Sequence, residues 1–171
     1  KNFEKQKELI EVLIRSGAQL NSNVNFGYTR IPLWKTLFIR SVSKFKNVTT
    51  LLWANGADIN KRNSSGKTLI FDVIGDKNEL EMVKHLFKLG AKINLSNKNG
   101  LYLAHTVAEK SINPNLFDFL ISKGMDFKIK GANNFTPLML ASLSNHNHDI
   151  IKKIIDIGAN VNAKTSKQLT S

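Results

Sequence analysis

The sequence predicts an all-α fold, a solenoid of stacked helix-turn-helix units joined by hairpin loops. Three observations carry that expectation. A short ending, Gly-Ala-x-x-Asn, opens at Gly17, Gly56, Gly90 and Gly158, with a degraded copy, Gly-Met-Asp-Phe-Lys, at Gly124. The intervals are 39, 34, 34 and 34 residues, and a fixed period of this length belongs to stacked repeats. Before each ending the apolar residues recur at helical spacing, and turn-forming Gly, Pro and Asn residues divide each period. In such an array each unit packs only on its neighbours, so the core is a continuous ribbon.

Residues 1–18 read as a partial repeat, its second helix only: Phe3, Leu9, Ile10, Leu13 and Ile14 lie on one face, and Gly17 stands where a helix ends in a left-handed conformation. Residues 19–60 form a complete but irregular unit, in which insertions of two and three residues explain the long first interval. Ile31-Pro32-Leu33-Trp34 is expected to open its first helix, with proline in the first turn. Val48, Leu51, Leu52 and Trp53 line its second helix, where Trp53 is expected to be buried.

Residues 61–94 are regular. Ser65-Gly66 makes the turn, Thr68 is the expected N-cap of Leu69-Ile70-Phe71, residues 75–78 break the pair, and residues 80–90 form the second helix. Residues 95–128 repeat this with Gly100, Leu103-Ala104-His105 and a helix entered through Asn113-Pro114, a cap followed by proline at the first helical position. Residues 129–162 are the best copy. Residues 163–171 resemble the start of a further repeat or a tail, so the chain reads as a fragment of a longer array.

Hydrophobic residues make up 42% of the chain, ordinary for a folded protein. No apolar run approaches the ~18–20 residues of a membrane span, and the charged N-terminus is unlike a signal peptide. The absence of cysteine excludes disulfides and a thiol nucleophile. The net charge is +12. Of the basic residues, 21 are Lys and only four are Arg, while Asn reaches 20, a joint excess of Lys and Asn that coding bias alone can produce.

Thr136-Pro137-Leu138-Met139-Leu140-Ala141 resembles the Thr-Pro-Leu-His-x-Ala of the ankyrin repeat. Leu80-Glu81-Met82-Val83 with Leu86-Phe87, and the Gly-Ala-x-x-Asn exits, are similar to its second helix and its close. The resemblance runs from about residue 3 to residue 162. It implies a non-catalytic module for protein–protein interaction, without cofactor or metal. It also implies that partners contact the hairpin tips (23–27, 62–66, 97–100 and 131–134) and a concave face of first-helix positions. Carried over, those positions are Trp34, Lys35, Lys67, Gly75, Asp76, Leu101, His105, Glu109, Lys110, Phe135, Met139, Leu143 and Ser144. In the family's histidine slot, His105 is also expected to tie neighbouring turns together.

Charge is segregated. No Asp or Glu occurs from residue 59 to 71, from 92 to 108 or from 127 to 148, while the same stretches hold Lys61, Arg62, Lys67, Lys92, Lys98, Lys128 and Lys130. Coding bias would scatter both signs, so a basic hairpin edge facing an acidic protein partner is expected. Lys61, Arg62, Lys98 and Lys130 lead its candidate contacts. Nucleic acid is disfavoured because base reading uses Arg, Asn or Gln forks, and no helix-turn-helix, finger or RNA-binding motif is present. An anionic membrane surface is disfavoured with it, and both stand as alternatives served by the same basic edge. His146-Asn147-His148 looks like a metal pair but lacks further ligands, and backbone bonding at the inter-helix break explains it better. Among apolar neighbours, His85 reads as a packing residue. No triad, phosphate loop or carboxylate pair with a credible pocket appears, so no catalytic role is assigned.

The composition and the loose repeats suit an intracellular bacterium, a virus or a protist, and a cytoplasmic place of action is expected, in the host if the protein is a secreted effector. The other reading is a targeting segment of a larger enzyme whose catalytic domain lies outside this chain. Partner identity and oligomeric state are not legible.

Overall fold

The computed structural model describes residues 2–26, 29–33, 45–144 and 148–167. The all-α repeat expectation holds, with one addition. Helix α1 (Asn2–Arg15) is followed by strands β1 (Asn23–Phe26) and β2 (Thr29–Pro32), then by α2 (Phe45–Ala54), α3 (Leu69–Asp72), α4 (Glu79–Lys88), α5 (Leu103–Lys110), α6 (Pro114–Ser122), α7 (Pro137–Ser144) and α8 (His148–Asp156).

The same chemistry ends five of these helices. At Gly90 the backbone turns left-handed (φ 87°). Its N–H donates to the Phe87 carbonyl at 3.1 Å and the Ala91 N–H to the Leu86 carbonyl at 3.0 Å. This pair of bonds satisfies orphan carbonyls and tucks the residue after glycine against the helix. Ala91 is accordingly buried. The equivalent pairs recur at Gly17-Ala18, Gly56-Ala57, Gly124-Met125 and Gly158-Ala159. The Gly-Ala motif is therefore a helix stop, and Met125 serves in its degraded copy.

The chain forms two compact units, residues 1–69 with 84–91 and residues 70–83 with 92–171. In the first, β1 and β2 pair antiparallel with Asn23 opposite Pro32 and Phe26 opposite Thr29. This corrects the expectation for Ile31-Pro32, which lie in β2; of the four residues expected to open the helix only Leu33 is helical, and Trp34 lies outside the described residues. The core is built from Ile10, Leu20, Phe45, Val48 and Leu52. The closing Asn of the repeat motif ties one turn to the next: Asn21 Nδ2 donates to the Gly56 carbonyl (2.8 Å) while its Oδ1 accepts from the Asp58 N–H (2.7 Å), and Asn60 Nδ2 donates to the Gly90 carbonyl (2.9 Å). His85 is the packing residue expected, with Nε2 at 2.9 Å from Thr49 Oγ1 and its ring edge-on to Phe45. Trp53, by contrast, is 48% exposed, so its expected burial fails. The buried residue of that turn is its neighbour Leu52, at 1%.

In the second unit α5 packs on α7, α7 on α8, and α6 on α8. Phe117 stacks on Phe127 at 3.9 Å between ring centroids, beside the buried Leu103, Val107, Leu116, Leu120, Ile150 and Ile154. Asn113 caps α6 by accepting from the Asn115 N–H at 3.0 Å, with Pro114 first in the helix, as expected. Thr136 Oγ1 accepts from the Met139 N–H. The matching bond expected of Thr68 is not made, and its buried hydroxyl has no partner among the described residues. Glu79, fully buried, accepts four hydrogen bonds: from the Gly75 N–H, Ser111 Oγ–H, Ile112 N–H and Asn113 N–H at 2.7–2.8 Å.

Candidate hairpin-tip binding surface

The tips are built by asparagine and a left-handed residue. At the tip over residues 62–66, Asn63 Oδ1 accepts from the Ser65 and Lys67 N–H groups (3.0 and 2.9 Å), and Gly66 (φ 74°) donates its N–H to the Asn63 carbonyl (2.9 Å). Thirty-four residues on, Asn97 Oδ1 accepts from Asn99 and Leu101 (2.9 and 3.1 Å), and Gly100 donates to the Asn97 carbonyl (3.1 Å). The next tip departs from this pattern. Gly131 replaces the asparagine, because a Cβ there would come within 2.9 Å of the Gly100 carbonyl and 3.0 Å of His105 Nε2. Asn134 takes the glycine slot at φ 60°, as asparagine can where other side chains clash. The Ala132 N–H donates to the Gly100 carbonyl at 3.1 Å, and the Ser166 N–H to the Asn133 carbonyl at 2.9 Å, so successive tips are stitched by backbone.

The expected contact residues separate on this scaffold. In the first unit, Lys61 and Lys67 are half-buried and Arg62 is exposed, its guanidinium donating to the Gly66 carbonyl at 3.2 Å. In the second unit, Lys98 and Lys130 are exposed at the tips, and Leu101 and Phe135 are half-buried at the same register. His105 and Met139 are corrections. Their relative exposures are 0% and 1%, and Phe71, at the same register, is 4%, so this slot faces the interior in all three repeats and offers a partner nothing. Trp34, Lys35, His146 and Asn147 lie outside the described residues.

His105 acts inward. Its Nδ1 accepts from the Tyr102 N–H (3.3 Å), and its Nε2 lies 2.9 Å from the Phe135 carbonyl. These bonds place the proton on Nε2 and hold the Phe135 backbone. Burial lowers the His105 pKa, opposed by the Phe135 carbonyl. Burial, followed by Lys46 and Lys88, lowers that of His85.

Among the described residues, Lys61, Lys67, Lys98, Lys128 and Lys130 have no carboxylate partner. The acids are used elsewhere: Glu79 inside, and Asp118 with Lys153 at 2.6 Å on the second-helix side. Sequence reasoning missed Lys164, exposed and at the register of Lys130; counting on by one period would have found it. Ammonium groups on rigid turns beside partly open Leu101 and Phe135 can attract anionic groups and hold an apolar side chain. Among the described residues, no three His, Asp or Glu side chains are grouped to bind a metal, and no helix is long and apolar enough to cross a membrane.

A family model for ankyrin repeats in three copies matches residues 69–165, more than half of the chain. Similar proteins include ankyrin repeat protein FPV230 of fowlpox virus, 28% identical over 81% of this chain and 87% of its own length. A second fowlpox virus ankyrin repeat protein, FPV031, is 29% identical over 77% of this chain and 39% of its own length. Delta-latroinsectotoxin-Lt1a of Latrodectus tredecimguttatus is 33% identical over 57% of this chain but only 8% of the toxin. The chain thus spans a small part of two of these three relatives.

Proposed function

Because the chain belongs to the ankyrin-repeat family, we propose that it is a non-catalytic protein–protein interaction module that takes an acidic partner surface through its hairpin tips. The carrying observation is the set of tip lysines (Lys61, Lys67, Lys98, Lys128, Lys130) without carboxylate partners among the described residues. Coding bias can raise the number of lysines but does not clear acids from the tips alone. The favoured partner segment is acidic with an apolar side chain that reaches Leu101 and Phe135, which stand half-buried beside Lys98 and Lys130. Charge draws the partner in, and the apolar contact resists dissociation. Action on a host protein in the host cytoplasm is part of the same proposal; its support is that two similar proteins are ankyrin repeat proteins of a virus.

The test is affinity capture from host-cell lysate at low salt and at ~150 mM salt. It compares the wild type with a variant changed to Glu at Lys61, Arg62, Lys98 and Lys130, and with Leu101→Ala/Phe135→Ala. A protein held by the wild type at both salts, lost by the charge variant and weakened by the apolar one, supports the surface. Equal retention by all three rejects it. Retention on anionic vesicles or duplexes that survives ~150 mM salt would favour the lipid or nucleic-acid reading instead.

A further inference from the structure

The chain holds two described Asn-Gly pairs, Asn55-Gly56 and Asn99-Gly100, in contrasting settings. We propose that Asn99 is a site of spontaneous deamidation, where its side-chain amide is exchanged for a carboxylate at the centre of the tip. The Gly100 nitrogen, deprotonated by hydroxide, attacks Asn99 Cγ. The C–N bond of the side-chain amide breaks, and its nitrogen leaves as ammonia. The resulting five-membered imide is opened by one water at either carbonyl, giving aspartate or isoaspartate. Glycine, lacking a Cβ, leaves that approach open.

Structure ranks the two sites. Asn55 sits at the end of α2 with Nδ2 donating to the Leu51 carbonyl (2.8 Å), while the Gly56 N–H donates to the Trp53 carbonyl (3.0 Å) and the Ala57 N–H to the Leu52 carbonyl (3.0 Å). To react it must give up a side-chain bond and the helix stop together. Asn99 is exposed, and among the described residues its amide makes no hydrogen bond. The turn restrains its backbone through Asn97, whose Oδ1 receives the Asn99 and Leu101 N–H groups and whose carbonyl receives the Gly100 N–H, and the next tip adds one bond, from the Ala132 N–H to the Gly100 carbonyl. Among the described residues the Gly100 N–H is held by the Asn97 carbonyl alone, so loss of that one bond frees the attacking nitrogen. The product puts a negative charge into the acid-free stretch from residue 92 to 108. Its effect on partner encounter rests on the reading proposed above; the reaction itself does not.

The experiment incubates the folded chain at mildly alkaline pH, with a parallel sample in urea, and maps peptides by mass with separation of isoaspartate. Conversion at Asn99 several-fold faster than at Asn55 in the folded chain, with the two rates converging in urea, supports the proposal. Equal rates in the folded chain, or Asn55 leading, overturns it. Asn97→Ala, which removes the two bonds made to the Asn97 side chain, is expected to raise the folded-state rate at Asn99 further and leave Asn55 unchanged. No change at Asn99 would show that the turn does not control the site.

Discussion

Glu79 places a carboxylate in a fully buried position and satisfies it with four donors and no cation. Removing the acceptor takes one bond each from Gly75, Ser111, Ile112 and Asn113 and empties a fully buried position, and a donor that loses its bond out of reach of water costs about 1–3 kcal/mol. Glu79→Ala should therefore lower the unfolding free energy in urea by about 3 kcal/mol or more; a change under about 1 kcal/mol would mean that water replaces the carboxylate. The sequence puts Glu79 just before the helix over 80–90 but not inside the core, because three of its four donors come from a loop more than thirty residues away. His105 yields a pH prediction. Its folded pKa is lowered from 6.5 by burial, so below about 6.5 the unfolded chain binds the proton and the folded chain resists it. Stability is thus fully present above 6.5 and falls as the pH drops below it, levelling only once the folded pKa is passed. Denaturation midpoints between pH 7 and 5 should show the fall, and His105→Gln should flatten part of it, leaving the share of His85, which is lowered in the same direction. A slope unchanged by His105→Gln would place the proton uptake elsewhere.

Helices obey their register more closely than their composition. Val48, Met82, Leu116 and Ile150 occupy one position of successive second helices and are 1%, 5%, 0% and 0% exposed, yet Leu9, at the same position of α1, is 51% exposed. α8 packs against α7 and α6; α1 has no comparable helix partner among the described residues. Leu116→Ala should consequently cost about 2–5 kcal/mol, while Leu9→Ala should stay within about 0.5 kcal/mol. Equal losses in urea denaturation would show that Leu9 is packed after all. Elements written in local chemistry were legible. The helix stops appear as Gly-Ala and the α6 start as Asn-Pro, because each needs only its own few residues. The β1–β2 hairpin was missed, although Phe26-Gly27-Tyr28-Thr29 is a hairpin signal, two residues with glycine first between facing strands. The repeat period overrode it. His105 and Met139, in the inward slot they share with Phe71, were misassigned for a different reason. A short helix covered on two sides has an apolar stripe too wide for sequence spacing to say which edge is open.

Charge acts on the molecule as a whole, and here it should pull stability and binding in opposite directions as salt is added. With a net charge of +12, the folded chain repels itself, and screening relieves that repulsion. The described ion pairs Lys7–Glu11, Arg15–Glu11 and Lys153–Asp118 are exposed or partly so, and pairs of that kind contribute little to be lost on screening. Raising salt from ~20 to ~300 mM should therefore raise the thermal midpoint by a few degrees. The same addition should slow association with an acidic partner by about tenfold or more, since steering decays with the Debye length while the apolar contact at Leu101 and Phe135 is untouched. Dissociation should change little. Stopped-flow association and a thermal melt over one salt series separate the two effects. A melting point that falls with salt would show native ion pairs outweighing net repulsion. An association rate indifferent to salt would show that the lysines are clear of the encounter path, leaving the half-buried apolar pair as the recognition element.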